Sequence, residues 1–473
     1  MSRSFLFTAF ATLSLCTGCD VEPVPVLLPL PLPLPALVEE QGPVLAQRIE
    51  AMKTRVLEDT CFQQHEDPSV CEWGNFKFDP NDFSMTHDTG EAILIMDDFP
   101  ELPPRAIRYK NRIKGFFRAG PDGTLAPVPF AWHAPVALHA ALSEFVSPDF
   151  VSAESLRPLS EPLEKVYRSY VSQSAGHGSY VFSVLVEANP HQPIVVLDQL
   201  SYLSFALEEF CDASGSAASA ERLRAKSQHV ADELRQLIAQ QHIRFVNVSS
   251  GESLATMRSL WAGHCRGAMP GDAVLRGKLN AYEPIVAALY RTEGVFAAQA
   301  AIDATNLQDH PFDFPSETYP NRLLVGFFTA LESGLDPQGR GGQGVLEGWP
   351  GWKNVDLYLN SGVLSTRPYK YNSTPLLQVD TFGVDVFPIT RTTTSWITPL
   401  ALSRFINARH ELFEDEPMSD SLIQRIRSEL VPEACDELPG GRCIYQDPLK
   451  HGQIEAVRLG YRAREYVKPD VSK

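Results

Sequence analysis

Ala92-Ile93-Leu94-Ile95-Met96-Asp97-Asp98 is the stretch on which the fold of this chain turns. An unbroken apolar run of strand length fits a parallel strand buried on both faces, and it stops on two aspartates. The same texture returns in Pro193-Ile194-Val195-Val196-Leu197 and in Ile243-Arg244-Phe245-Val246-Asn247-Val248, which Ser249-Ser250-Gly251 ends. Helical segments lie between them, Tyr180 to Ala188 and the long amphipathic Ala217 to Gln241, while Gly294-Val295-Phe296-Ala297-Ala298 leads toward Asp303-Ala304-Thr305-Asn306. Strand alternating with helix predicts an α/β fold: a doubly wound parallel sheet flanked by helices, in three layers. In such sheets functional side chains gather at the carboxyl ends of the strands, where Asp97, Asn306 and the Ser249 segment all fall.

The chain has 473 residues, enough for one large α/β domain with appendages or for two ordinary domains. Its net charge of −17, with no basic run anywhere, argues against nucleic acid as a partner, because phosphate backbones are held by clustered Lys and Arg.

The N-terminus reads as an export signal: Arg3 supplies a positive start, Phe5 to Leu15 is apolar, and Cys16-Thr17-Gly18-Cys19 follows. The apolar part is too short to cross a bilayer as a helix, which takes roughly twenty residues. The segment resembles a bacterial lipoprotein signal, and that resemblance implies cleavage before Cys19, lipid on Cys19 and a membrane anchor; Cys16 stands where such signals usually carry leucine, so plain secretion stays open. The prolines of Pro23-Val24-Pro25 and Pro29-Leu30-Pro31-Leu32-Pro33-Leu34-Pro35 then favour a stiff, extended tether.

Cys16 and Cys19 apart, the chain carries Cys61, Cys71, Cys211, Cys265, Cys435 and Cys443, an even set that fits an oxidising compartment and disulfides. Fifteen pairings are formally open. Short spacing across turn-rich stretches favours Cys61 with Cys71 and Cys435 with Cys443, leaving Cys211 for Cys265.

Two further stretches carry chemistry: Gly176-His177-Gly178-Ser179 and Thr392-Thr393-Thr394-Ser395-Trp396-Ile397-Thr398-Pro399. An acid (Asp97), a base (His177) and a hydroxyl (Ser395) from separate elements of one sheet point to nucleophilic hydrolysis. Taken singly, each has an ordinary explanation: Asp97 and Asn306 as turn residues, His177 as a capping or surface residue, Ser395 as a polar turn. Gly178 permits a tight entry into the helix that follows, and Ser179 is expected to cap it.

In order, these blocks resemble those of the subtilisin-like serine peptidases over roughly Ala92 to Phe405. Ile95-Met96-Asp97-Asp98 is similar to the family's aspartate strand, with Asp98 resembling the second acid of its kexin-like branch. His177-Gly178-Ser179-Tyr180-Val181 resembles the His-Gly-Thr-His-Val block, with Tyr180 in place of the second histidine. Val246-Asn247-Val248-Ser249-Ser250-Gly251 is similar to the edge that pairs with substrate, and Ala304-Thr305-Asn306 to the oxyanion segment, supported by Tyr319-Pro320-Asn321 downstream. Thr394-Ser395-Trp396-Ile397-Thr398-Pro399 resembles the nucleophile block, Pro399 leading into a helix from Leu400 to Arg409.

The resemblance implies an Asp97, His177, Ser395 triad, Asn306 as oxyanion donor, and Ser249, Ser250 and Gly251 as the substrate-binding edge. It implies a serine endopeptidase acting on polypeptides, and the lipoprotein-like signal implies that it is held on a bacterial cell envelope outside the cytoplasmic membrane. No cofactor is required, and structural calcium is admitted by the family alone. Glycines of the family's pattern are replaced by Thr393 and Thr305, which keeps open an inactive domain that binds peptides or builds surface structure. The spacings contain no Gly-x-Ser-x-Gly elbow and no metal motif; His133 and His139 read as ordinary residues, and Gly339 to Gly344 as a surface turn.

The organisation read from the chain is a signal at 1–18, a Pro/Leu-rich tether at 19–40, a polar extension at 41–89 with a helix from Pro43 to Leu57, a peptidase-like domain at 90–412 and a C-terminal extension at 413–473. The last should hold helices from Ser419 to Leu430 and from Gly452 to Tyr466 and pack on the domain. No inhibitory prodomain is recognisable between the tether and Ala92.

Overall fold

The computed structural model describes residues 42–64, 67–153, 155–156, 158–159, 163, 177–302, 304–314, 318–328, 355–360, 375–379, 384–388, 394–430 and 445–446. The signal, the tether, Cys19, Cys435 with Cys443, the Gly339 segment and the helix expected after Gly452 lie outside them.

Ala92–Asp97 is a strand, and every one of its residues is buried. In chain order the strands are β1 (Trp73–Lys77), β2 (Ala92–Asp97), β3 (Ile113–Ala119), β4 (Leu125–Pro127), β5 (Ala131–Pro135), β6 (Ile194–Asp198), β7 (Ile243–Val248), β8 (Phe296–Ala300), β9 (Arg322–Phe328), β10 (Leu357–Asn360), β11 (Pro375–Val379), β12 (Val384–Pro388) and β13 (Tyr445–Gln446). The main helices are α1 (Gly42–Glu58), α2 (Gly178–Ala188), α3 (Ala217–Gln240), α4 (Leu254–His264), α5 (Asp272–Ala281), α6 (Glu283–Tyr290), α7 (Thr394–Leu412) and α8 (Asp420–Leu430).

Nine strands form one sheet in the order β13-β10-β9-β8-β7-β2-β6-β3-β4. All of its pairings are parallel except β3 with β4. Helices cover both faces, so the architecture is a three-layer α/β sheet. From β2 the chain moves outward to β3, returns through β6, and crosses to β7 on the other side of β2. That reversal places a crevice at the carboxyl ends of β2 and β7.

Strand periodicity sorts the two faces. Ile93 and Ile95 belong to one core with Phe245, α2 and α7, whereas Ala92, Leu94 and Met96 belong to the other with Val246, Val248, α3 and α6. Asp97 and Asn247 continue the first parity and therefore sit on the α2 and α7 side. On the opposite side α3 starts at Ser216, which accepts from the Ser219 amide, and buries the stripe Leu223, Ser227, Val230, Leu234, Leu237.

Both flanking segments share the first core. α1 buries Leu45, Ile49, Met52 and Val56, one helical stripe, in the same cluster as α2 and α7, so the polar N-terminal extension supplies a packed helix. α8 does the same with Leu422, Ile423, Ile426 and Leu430, and β13 lengthens the sheet beside β10. Disulfides join Cys61 to Cys71 and Cys211 to Cys265. Among the described residues no helix is long and apolar enough to cross a membrane.

Two local expectations need correction. Ser179 does not cap α2: the helix starts at Gly178, His177 occupies the capping position without a side-chain bond, and the Gly178 amide donates to the Asp98 carbonyl at 3.1 Å. The helix expected from Leu400 begins at Thr394 instead and carries Pro399 inside it. Lacking an N–H, Pro399 cannot donate to the carbonyl four residues earlier, which is that of Ser395.

Candidate active site

Asp97 ends β2 and is 6% exposed, while His177 stands at the start of α2 on the same side of the sheet. Their side chains meet, His177 Nδ1 lying 2.6 Å from Asp97 Oδ1. A carboxylate only accepts, so Nδ1 carries the proton and donates, and the neutral ring presents Nε2 as its acceptor. Asp97 Oδ1 also takes the Asp98 amide at 2.7 Å. Together these fix the carboxylate against the strand end and fix the tautomer of the ring.

The His177 pKa is raised above 6.5. Burial is the largest influence and lowers it, but the hydrogen bond His177 donates to Asp97 and the charges of Asp97 and Asp98 outweigh burial.

Close packing sets the position of His177. A Cβ on Gly178 would stand 2.5 Å from the ring of Phe99, which is fully buried. The Phe99 amide in turn donates to Asp198 Oδ1 at 3.1 Å, at the end of the neighbouring β6. Glycine is required there because the strand-end loop after Asp97 passes directly against the first turn of α2.

Ser395 lies in the first turn of α7, where amide groups and the helix dipole favour negative charge. Its hydroxyl donates to the Ser249 carbonyl at 3.1 Å, and the Ser249 hydroxyl donates to the Ser395 carbonyl at 3.3 Å. That carbonyl is the one Pro399 leaves without a helical donor. Asn247 Nδ2 donates to Ser249 Oγ at 2.9 Å, so a polar chain runs from the end of β7 to the first turn of α7. Asn247, which is fully buried, was not singled out from sequence; the available signal was an amide within a mostly apolar strand, two residues before Ser249.

Ser249 thus lies beside Ser395, at the end of β7, while the Ser250 carbonyl accepts from Gln299 and Gly251 packs against Asp313 and Ile302. Asn306 is engaged elsewhere: its Nδ2 donates to Asp309 Oδ2 at 2.9 Å and to Thr305 Oγ1 at 3.2 Å, and its Oδ1 accepts the amides of Gln308 and Asp309. Arg276 holds Asp309 from the other side at 2.7 Å. The amide of Asn306 therefore closes its own turn. Asp97 Oδ2 and Asn247 Oδ1 are buried and have no protein hydrogen-bond partner among the described residues. Among the described residues no three His, Cys, Asp or Glu side chains are arranged to hold a metal ion.

The fold and site together define a three-layer α/β protein with an Asp-His pair and a helix-start serine at neighbouring strand ends. No family model and no curated relative matches the chain. Among solved structures it is similar to Pseudomonas sedolisin, a serine-carboxyl proteinase complexed with two molecules of pseudo-iodotyrostatin, at 11% identity over 79% of this chain and 91% of that one, with a TM-score of 0.30. It is also similar to a mutant of the epidermin leader peptide processing serine protease from Staphylococcus aureus, at 12% identity over 81% of each chain, with a TM-score of 0.36.

Proposed function

We propose that this protein is a serine endopeptidase that hydrolyses peptide bonds with Asp97, His177 and Ser395. The observation that carries the proposal is the 2.6 Å bond from His177 to Asp97 at the end of β2, the strand paired with β7, to whose end Ser395 is anchored. Ser395 Oγ turns from the Ser249 carbonyl to attack the scissile carbonyl, and His177 Nε2 takes its proton. The ring then donates that proton to the leaving amine, while Asp97 stabilises the imidazolium; a water deprotonated by the same ring hydrolyses the acyl ester left on Ser395, and the proton returns to Ser395 Oγ.

The Ser395 amide, at the start of α7, faces the oxyanion with the helix dipole behind it. Asn306 joins it as donor once substrate draws its amide from Asp309. The polypeptide lies extended along Ser249, Ser250 and Gly251 and pairs through its main chain. Lipid on Cys19 and the proline-rich tether hold the domain on the outer side of the cytoplasmic membrane; release by plain secretion is the alternative.

The bonds that occupy Asn306 favour a second reading, a catalytically silent domain that binds peptides along the same edge or serves as a structural surface protein. Incubation with an unfolded protein mixture, followed by mass spectrometry of new N-termini, separates the two. New termini that vanish in Ser395→Ala support the peptidase, and peptide binding without cleavage supports the second reading.

A further inference from the structure

The register of β2 with β6 sets Asp97 beside Asp198, and Arg118 follows in β3, one step past the pairing of Phe117 with Leu197. Ile93, Ile194, Val196 and Phe116 share the parity of these three residues and lie in the core under α2 and α7. Asp97, Asp198 and Arg118 therefore form one row of strand ends on the face that carries His177.

Asp97 holds the ring, and the other two side chains hold the loop that follows it. Arg118 Nε donates to Asp198 Oδ2 at 2.7 Å, and its Nη2 donates to the carbonyls of Phe99 at 3.1 Å and Pro100 at 3.0 Å. Asp198 Oδ1 accepts the Phe99 amide at 3.1 Å. Both main-chain groups of Phe99 are thus engaged, the N–H by the acid and the C=O by the cation. A guanidinium suits this place because its donors point in fixed directions and serve a carboxylate and carbonyls together.

What the loop touches gives these bonds their consequence. The buried Phe99 ring fills the space that a Cβ on Gly178 would need, and the Asp98 carbonyl accepts the Gly178 amide. His177 immediately precedes that glycine. Arg118 is 39% exposed and Asp198 22%, and an ion pair so open to water adds little to stability by itself. Its specific effect is on the loop.

We infer that Arg118 and Asp198 are positioning residues for the catalytic base, holding the Phe99 loop against Gly178 and so keeping His177 in its bond to Asp97. The word base rests on the peptidase reading, whereas the placing of the ring rests on the bonds alone.

The first readout is the rate at which a fluorophosphonate probe modifies Ser395, with the fold of each variant verified by thermal unfolding. In Arg118→Gln the maximal rate should fall about tenfold to hundredfold, with the half-saturating probe concentration within about twofold of the parent, because the ring is displaced and the probe's site is not. Arg118→Lys keeps a charge beside Asp198 but has no fork to span the carbonyls, so its rate should lie between the two. Arg222→Gln breaks an exposed pair of 2.9 Å with Asp212 at the start of α3, on the other face, and should leave the rate unchanged.

The second readout needs no catalysis. The downfield proton signal of His177 Nδ1–H, assigned by its loss in His177→Ala, should weaken and move upfield in Arg118→Gln and in the isosteric Asp198→Asn. With a reactive parent both changes are required; if either is absent in the folded variants, the inference is overturned and the peptidase stands. With an unreactive parent only the peptidase reading falls: a moved signal then supports the positioning role, and an unmoved one overturns it.

Discussion

Ser249 and Ser395 exchange hydrogen bonds in both directions, hydroxyl to carbonyl at 3.1 Å and 3.3 Å, across 146 positions of sequence. Pro399 makes the exchange available, because it withholds the amide that would otherwise occupy the Ser395 carbonyl. The end of β7 is thereby fastened to the first turn of α7, and the substrate edge to the nucleophile.

Ser249→Ala removes one of these bonds and the acceptor of Asn247 Nδ2. It should cost about 1 kcal/mol in urea unfolding and slow modification of Ser395 by a serine-directed probe about fivefold to tenfold. An unchanged labelling rate would mean that the link does not position the serine.

Gly178→Ala forces a methyl group against the buried Phe99 ring, at the turn that carries His177. Overpacking should cost about 1–3 kcal/mol, measured by thermal unfolding, with a parallel loss of labelling at Ser395. A variant as stable and as reactive as the parent would show that Phe99 does not constrain the histidine.

The pH dependence follows from His177, whose pKa is raised above 6.5. Catalysis needs the neutral ring, so the labelling rate should fall on acidification with a half-point above 6.5, and Asp97→Asn should move that half-point lower. The same substitution should reduce the plateau rate by about four orders of magnitude. For stability the sign is opposite: a raised folded-state pKa stabilises fully below the unfolded value and loses that contribution as pH rises through the folded one.

The Cys211–Cys265 disulfide spans 54 residues, from the loop before α3 to the end of α4. Cys211→Ser with Cys265→Ser should lower stability by about 4 kcal/mol on the loop-entropy scale, read from denaturant midpoints. A loss below about 1 kcal/mol would show that the reduced chain already keeps these loops together.

The strands were legible because β2 reads as a continuous apolar run and β7 as a mostly apolar one broken by Arg244 and Asn247, and the crossing between them located the crevice. Asp97 and Ser249 were visible as polar residues ending such runs. Asn247 was not, since one amide inside a strand carries no period and its bond to Ser249 exists only once the chain has turned after β7. The role of Asn306 in the observed geometry is equally local in cause: Asp309, three residues on, competes for its amide. The contribution of α1 to the core was obscured by its polar surroundings, although Leu45, Ile49, Met52 and Val56 hold helical spacing. Pro399 read as a helix start, yet the chain tolerates it one turn further in because Ser249 supplies the missing donor.

The central claim is that Ser395 is an activated nucleophile. A fluorophosphonate probe applied to the purified protein, with the adduct located by mass spectrometry, tests it directly. The account predicts modification at Ser395 that is lost in Ser395→Ala and in His177→Ala. A folded protein that stays unmodified at Ser395, or that is modified there equally well in His177→Ala, would contradict it.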